Sequence, residues 1–139
     1  TKRAERMAEY FETRKIPHNV WIGVTVENED TKSRIDDIRC LDATVKFLSC
    51  EPLLGDLGEL NLEGVNWIIV GGESGTQARP MKEEWVLNIK KQADANNIPF
   101  FFKQWGTWSK DGIKGNKKIN GKLLQGKVVQ NMPNIISHK

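Results

Sequence analysis

A chain of 139 residues, 38% of them apolar and 28% charged, is long enough for one domain with a substantial core and too short for two. We expect neither a membrane nor a secreted protein, because no apolar run approaches the roughly 20 residues that cross a bilayer and no basic-then-apolar leader opens the chain. Two cysteines, Cys40 and Cys50, supply neither a disulfide framework nor a four-ligand zinc site, so the sequence predicts a cytoplasmic protein.

The first part of the chain alternates helical and extended patterns. Apolar residues recur at the spacing of one helix face over residues 4–11. Residues 20–26 are rich in β-branched side chains and predict a strand. Asp30 or Thr31 can cap a second helix, and residues 45–49 form the next predicted strand.

The alternation continues towards the C-terminus. After a glycine-rich stretch at residues 55–64, residues 66–70 form a near-continuous apolar run, which is typical of a strand buried on both faces of a parallel sheet. A helix is predicted from about Met81 to Asn96, with Pro80 in its first turn. Residues 100–102 form the fourth predicted strand.

The final segment is strongly basic. The net charge of +3 is unevenly distributed, because residues 103–139 contain eight lysines and one acid, Asp111. Such a segment can contact a polyanion, and the candidate contacts with a nucleic acid or another partner are Lys110, Lys114, Lys117 and Lys118. The alternative is a merely solvated segment, because it contains no arginine and only two tryptophans on which bases could stack.

Strands separated by helices predict an α/β fold with four parallel strands. The strand spacing fits half of a (β/α)₈ TIM-like barrel, whose units average roughly 31 residues, and equally a small open sheet. We expect this domain over residues 1–106, followed by a basic appendage, residues 107–139, with a hairpin around Gly121. The chain starts directly in a helical pattern and is interpreted as a fragment. A half-barrel leaves two sheet edges open, which favours self-association or pairing with a missing N-terminal half.

Acidic, amide and glycine residues follow each predicted strand at its carboxyl end, where α/β proteins place their sites. The candidate ligand-binding residues are Glu27, Asn28, Glu51, Gly71, Gly72, Glu73, Ser74, Lys103 and Gln104. Three carboxylates at one edge are costly unless a cation or ligand compensates them, which predicts a ligand-binding rim with the glycines approaching the ligand. The alternatives are that Glu27 and Glu51 only cap helices and that the glycines only form a tight turn at positive φ.

Neither the cysteines nor the histidines predict a nucleophile or a metal site. Cys50 has no histidine near it in sequence, His18 precedes a strand at the opposite edge, and His138 lies in the terminal segment. We therefore expect no metal, and no catalytic residue is assigned.

Five sequence blocks are distinctive: residues 1–7 (TKRAERM), 19–28 (NVWIGVTVEN), 47–55 (FLSCEPLLG), 67–75 (WIIVGGESG) and 99–106 (PFFFKQWG). In this order they resemble the phage gene-product-37/gene-product-68 family, an uncharacterised bacterial and phage family. Residues 121–126 look like its closing segment.

The resemblance implies a TIM-barrel protein related to radical S-adenosylmethionine enzymes, of which this chain is the C-terminal half. Full-length members carry an N-terminal cysteine cluster that would hold an iron–sulfur centre. This chain lacks the cysteine cluster, so we expect it to bind no cofactor by itself. We expect S-adenosylmethionine and an iron–sulfur cluster to bind only if a missing N-terminal half supplies the cysteines. Gly71-Gly72-Glu73 looks like the element that holds the methionine amino group, although in that superfamily the element follows an early strand.

Two functions stay open, one enzymatic and one not. In the first, the rim binds a small anionic or amine-bearing ligand as part of a radical-enzyme barrel that is inactive alone: Glu73 binds, Glu27 and Glu51 orient, and Lys103 offsets their charge. In the second, a phage-derived binding module engages a host protein or nucleic acid through its basic tail. The sequence specifies neither a substrate nor a reaction.

Overall fold

The computed structural model describes residues 1–135 and contains a four-stranded parallel sheet with helices. The elements are α1 (Ala4–Glu12), β1 (Ile22–Thr25), a 3₁₀ turn (Glu29–Thr31), α2 (Arg34–Arg39), β2 (Lys46–Cys50), β3 (Trp67–Gly71), α3 (Glu83–Ala95), β4 (Phe100–Gln104), α4 (Lys117–Asn120), β5 (Leu123–Leu124) and β6 (Lys127–Val128). The prediction of an α/β fold with four parallel strands is confirmed. The prediction for His138 falls outside the described residues. No helix within residues 1–135 is both long and apolar enough to cross a bilayer.

The four strands are arranged in sequence order, β1-β2-β3-β4, and every neighbouring pair is parallel. Their register aligns one residue from each strand in a row across the sheet, as in Val24, Leu48, Ile68 and Phe100. Because successive side chains of a strand point to opposite faces, this row and the next one along define the two faces of the sheet.

One face of the sheet is covered by the helices and forms the core. The side chains on this face include the row from Val24 to Phe100 named above, which is 0–1% exposed. They form one cluster with apolar residues of α1, α2 and α3. In α3 the buried residues Val86, Ile89 and Ala93 follow helical spacing. Between β2 and β3 no helix forms, and Leu53 and Leu57, both fully buried, cover the sheet instead. Burial of this apolar surface is the main favourable contribution to folding.

The opposite face of the sheet is aromatic, and we call it the aromatic face. Trp67 lies at its centre, with the rings of Trp21, Phe47 and Phe101 at centroid distances of 5.8, 5.7 and 5.9 Å. Gly23 accommodates this packing, because a Cβ atom there would lie 2.2 Å from the Phe47 ring. Phe47, Phe101 and Trp21 are only half-buried.

Three element boundaries differ from the sequence predictions. The third helix begins at Glu83 after an extended Lys82, so Pro80 lies before the helix and not in its first turn. The fourth strand continues through Lys103 and Gln104. The hairpin does not turn at Gly121: residues 117–120 form a helical turn, and the strands reverse at Gln125 and Gly126, which both adopt positive φ.

The appendage packs against the outer edge of β4. Phe102 N donates to Val129 O (2.7 Å) and Asn131 N donates to Phe100 O (3.1 Å), so this segment continues the sheet as an antiparallel neighbour. The prediction of two open sheet edges is therefore wrong at β4. At the β1 edge, Thr1 N donates to Gly23 O and Thr1 O accepts from Thr25 N, both at 2.9 Å.

Candidate ligand-binding rim

The alternation of side chains brings the predicted charged residues to one edge of the sheet. Glu27 and Glu51 follow Thr25 and Ser49 by two residues, and those two residues face each other in adjacent strands. Lys103 stands in the same relation to Phe101 of β4. These side chains therefore continue the aromatic face at the carboxyl ends of the strands. We define the rim as Glu27, Glu51, Gly71 and Lys103 together with Lys2, Glu73 and Arg79.

The centre of the rim is an ion pair that crosses a strand. Lys103 Nζ on β4 lies 3.0 Å from Glu51 Oε2 after β2, so the pair spans the intervening strand β3. Gly71 stands beneath it, where a Cβ atom would lie 3.4 Å from Glu51 Oε2 and 3.5 Å from the Lys103 Cβ. The glycine leaves the space that lets the lysine approach the carboxylate.

The other two rim carboxylates also pair with cations of the chain. Lys2 Nζ lies 2.6 Å from Glu27 Oε1. Arg79 donates to both oxygens of Glu73, from Nη2 at 2.9 Å and from Nε at 3.0 Å, and its backbone N–H donates at 2.8 Å. These hydrogen bonds from Arg79 lower the pKa of Glu73 to about 2. The Glu27 side chain contacts Lys2, and the Glu51 side chain contacts Lys103 and accepts a hydrogen bond from Ser49 Oγ at 3.4 Å, so neither is placed as a helix cap.

This pairing corrects the electrostatic argument made from the sequence. The three carboxylate side chains are 15–27% exposed and their cationic partners 53–60% exposed. The chain itself thus compensates the acids, and no external ligand is required for that. Ion pairs this exposed each contribute about 0–1 kcal/mol, so a ligand that supplies equivalent charges can replace them at little cost.

The double glycine after β3 has a packing explanation. A Cβ atom on Gly72 would lie 1.8 Å from the carbonyl oxygen of Trp105, and one on Gly106 would lie 2.3 Å from the carbonyl oxygen of Glu73. Neither Gly71 nor Gly72 adopts positive φ, so the alternative interpretation of a tight turn at positive φ does not hold. Gly72 is required because two backbone segments pass in direct contact.

The remaining predicted residues lie beside the rim. Gln104 Nε2 is 3.3 Å from Gly72 O and 3.4 Å from Ser74 Oγ, which links the ends of β3 and β4. Asn28 starts the 3₁₀ turn after β1, and its Oδ1 atom is buried without a hydrogen-bond partner among residues 1–135. Arg79 and Lys2 were not among the predicted site residues. Arg79 gives no sequence signal, because its contact with Glu73 depends on how a loop folds.

The thiols do not form a reactive or metal-binding group with the rim. Cys50 is fully buried. Its burial, and to a smaller extent the negative charge of the adjacent Glu51, raise the pKa of the Cys50 thiol to about 12. Cys40 is exposed at the end of α2. Within residues 1–135 no three histidine, cysteine or acidic side chains are grouped as metal ligands. The described residues therefore do not fit an iron–sulfur cluster.

The four predicted partner-binding lysines form no salt bridge with the rim carboxylates. Lys110, Lys114, Lys117 and Lys118 are all exposed in the appendage. Lys114 Nζ donates to Thr76 O (2.9 Å) in the loop after β3. A depression of about 740 Å³ opens at the opposite end of the sheet, near the start of the strands. Its lining contains no ionisable side chain, so it offers less chemistry than the rim.

Comparison with known proteins identifies a family but no activity. No curated protein and no solved structure matches the chain. A family model described as a protein of unknown function (DUF5131) matches residues 1–133, which is nearly the whole chain. The chain belongs to the DUF5131 family.

Proposed function

We propose that the rim binds a small ligand that carries both an amine and an acidic group, and that the sheet is half of a barrel of the radical S-adenosylmethionine type. The observation that carries the ligand proposal is the Glu51–Lys103 pair spanning Gly71. It places one carboxylate and one ammonium side by side above a strand that has no side chain at that position.

Strand order supports the barrel part of the proposal. Doubly wound open sheets reverse their strand order at a switch point and place helices on both faces. Here the order never reverses, and α1, α2 and α3 all contribute to the core on one face. In a (β/α)₈ barrel the helices form the outer ring and the other face of the sheet lines the interior. The aromatic face and the rim would then face the barrel interior and its carboxyl mouth.

The charge arrangement favours a zwitterion over a simple anion. A ligand ammonium can bind the half-buried carboxylates of Glu51 and Glu27, while the ligand carboxylate binds Lys103 and Lys2, whose exposed side chains can move aside. Each protein ion pair that opens is replaced by two pairs with the ligand. The amino-acid part of S-adenosylmethionine has this combination of groups.

The proposal concerns binding and does not extend to radical chemistry within this chain. An iron–sulfur cluster supplies the electron in radical enzymes, and neither cysteine is placed to hold one, because Cys50 is buried in the core and Cys40 lies at the end of α2. Glu73 also has a smaller role than its sequence context implies, because Arg79 occupies both of its carboxylate oxygens. We therefore assign the central contacts to Glu51 and Lys103.

Calorimetric titration of the full chain tests the proposal. We expect methionine and S-adenosylmethionine to bind and adenosine, which lacks the amino-acid part, not to bind. Glu51→Gln and Lys103→Met should each weaken binding roughly tenfold or more, because each leaves one ligand charge without its partner. Gly71→Val should abolish binding by placing a side chain between the two charges.

Glu9→Gln is the matched control, because Glu9 is an exposed carboxylate on α1 and does not belong to the rim. It should leave the affinity unchanged. Equal affinity for adenosine and S-adenosylmethionine, or rim variants that bind as well as the Glu9 variant, would contradict the proposal.

A further inference from the structure

The appendage exposes an unusual share of the apolar surface. Of the eight large apolar residues that are exposed among residues 1–135, six lie beyond residue 106. Ile119 is 85% exposed and Leu123 is 52% exposed, whereas the next residue, Leu124, is 1% exposed and packs in the core. Large exposed apolar groups that cluster in one segment mark interaction surfaces more often than scattered ones do.

Two of these residues line a concave site. Ile119 and Leu123 border a depression of about 300 Å³, whose lining also includes Trp105, one lysine (Lys110) and one acid (Asp111). A depression of this size can accept one large side chain of a partner. Lys118 and Lys122 directly precede the two apolar residues in the sequence, so basic residues flank the apolar ones along the chain.

The site rests on an ordered support. Asn120 Nδ2 donates to the carbonyl oxygens of Gly106 and Thr107, both at 2.9 Å. Trp105 Nε1 donates to Leu123 O at 2.9 Å, and Trp105 N donates to Gly121 O at 3.0 Å. The two apolar residues are therefore held on the edge of the sheet before any partner binds, which lowers the entropic cost of docking.

The lysines of this segment lack acidic partners. Residues 107–135 contain six lysines and one acid, Asp111. None of these lysines forms a salt bridge within the part of the chain that the structure describes, whereas the rim cations do. A partner with acidic residues would supply the missing charge, and we expect these contacts to weaken with salt.

The chemistry favours a protein partner over a nucleic acid. Single-stranded nucleic acids bind largely by stacking bases on aromatic side chains. Here Trp105 is 3% exposed, Trp108 Nε1 donates to Ala78 O at 2.7 Å, and none of the large apolar residues that are exposed over residues 107–135 is aromatic. We infer that the depression between Ile119 and Leu123 docks an acidic protein segment that inserts one large apolar side chain.

Selection of a random displayed-peptide library on the full chain tests this inference. We expect the enriched peptides to combine several acidic residues with one large apolar residue. Synthetic copies should lose about tenfold in affinity when that apolar residue becomes alanine, when the chain carries Ile119→Ser with Leu123→Ser, or when it carries Lys110→Gln with Lys122→Gln. Glu51→Gln should not matter, which separates this result from the rim proposal.

Ile113→Ser is the matched control, since Ile113 is also exposed in the appendage but does not line the depression. It should bind like the parent chain. Enrichment of peptides without acids, enrichment of none, or indifference to the Ile119 and Leu123 changes would overturn the inference. Oligothymidylate or phosphatidylserine vesicles that bind as well as the peptides, with no loss in the serine variant, would overturn it in favour of a general polyanion surface.

Discussion

The rim and the appendage both contain cationic side chains, but these side chains differ in whether they are paired with carboxylates. At the rim, Lys2, Lys103 and Arg79 each contact a carboxylate of the chain within 3.0 Å. Over residues 107–135, the appendage has six lysines and one acid, Asp111, together with exposed aliphatic residues. The rim is therefore a neutral set of paired charges, whereas the lysines of residues 107–135 form no salt bridge within the part of the chain that the structure describes.

The difference shows that the number of charged side chains in a region does not predict which ligand the region binds. What matters is whether those side chains are already paired with each other. Paired charges suit a ligand that also carries both signs, because binding exchanges one set of ion pairs for another. Unpaired lysines suit an acidic partner, because binding adds pairs that did not exist before. The sequence shows the net charge of each region and does not show the pairing.

The strongest test of the comparison breaks the contact on which both regions depend. Gly72 and Trp105 join the end of β3 to the start of the appendage, and a Cβ atom on Gly72 would overlap the Trp105 carbonyl oxygen. We expect Gly72→Ala to lower the free energy of unfolding by about 3 kcal/mol or more, because backbone must move to accept it. Urea denaturation followed by tryptophan fluorescence measures this loss.

Gly55→Ala provides the control for that substitution. Its Cβ atom would lie 3.8 Å from the Asn28 Cβ, which is ordinary contact distance, and Gly55 does not adopt positive φ. We expect its effect to stay within about 1 kcal/mol. Similar losses for the two variants would show that the contact between the strand end and the appendage is not tight.

The periodic elements of this fold could be predicted because burial dictates their patterns. Alternating or continuous apolar residues in β1 to β4 and helical spacing in α3 reflect which side chains face the core. The gathering of Glu27, Glu51 and Lys103 could be predicted too, since parallel strands end at a common edge. Both predictions rest on the regular geometry of strands and helices, which places residues at a fixed spacing on the same side.

The pairing of Glu73 with Arg79 and the packing of Gly72 on Trp105 could not be predicted. Each depends on how one loop returns to the sheet, and no periodic pattern encodes that path. The same is true of Val129 to Asn131, whose sequence does not reveal that they pair with β4. Such contacts are set by tertiary packing of irregular segments.

A second test asks whether the appendage is anchored as the hydrogen bonds indicate. Trp105→Phe removes the indole N–H that binds Leu123 O and reduces packing against Phe102. We expect a loss of about 1–2 kcal/mol in stability, because one hydrogen bond and part of a buried ring are lost. Amide hydrogen exchange should become faster over β5 and β6 and stay unchanged in β1 and β2.

Trp21→Phe is the matched substitution for that test, because Trp21 packs on the aromatic face against Trp67. It should leave the exchange rates of β5 and β6 unchanged. If Trp105→Phe also leaves them unchanged, the indole hydrogen bond does not hold the appendage, and the docking surface loses its ordered support.

The smallest expected effect is the pH dependence of the Glu73–Arg79 pair, and it sharpens the distinction between paired and unpaired charge. Hydrogen bonds from Arg79 lower the pKa of Glu73 from its ordinary 4.5 to about 2. A lowered pKa means that the pair stabilises the fold fully above about pH 4.5, and that this contribution is lost as the pH falls towards about 2.

A carbon-13 titration of the Glu73 carboxyl should give a midpoint near the lower value. The stability difference between the parent chain and Glu73→Gln should shrink across the same interval, by a small amount because the pair is partly solvated. A midpoint near 4.5 would show that the pair does not persist in solution, and the rim would then carry unpaired charges like the appendage.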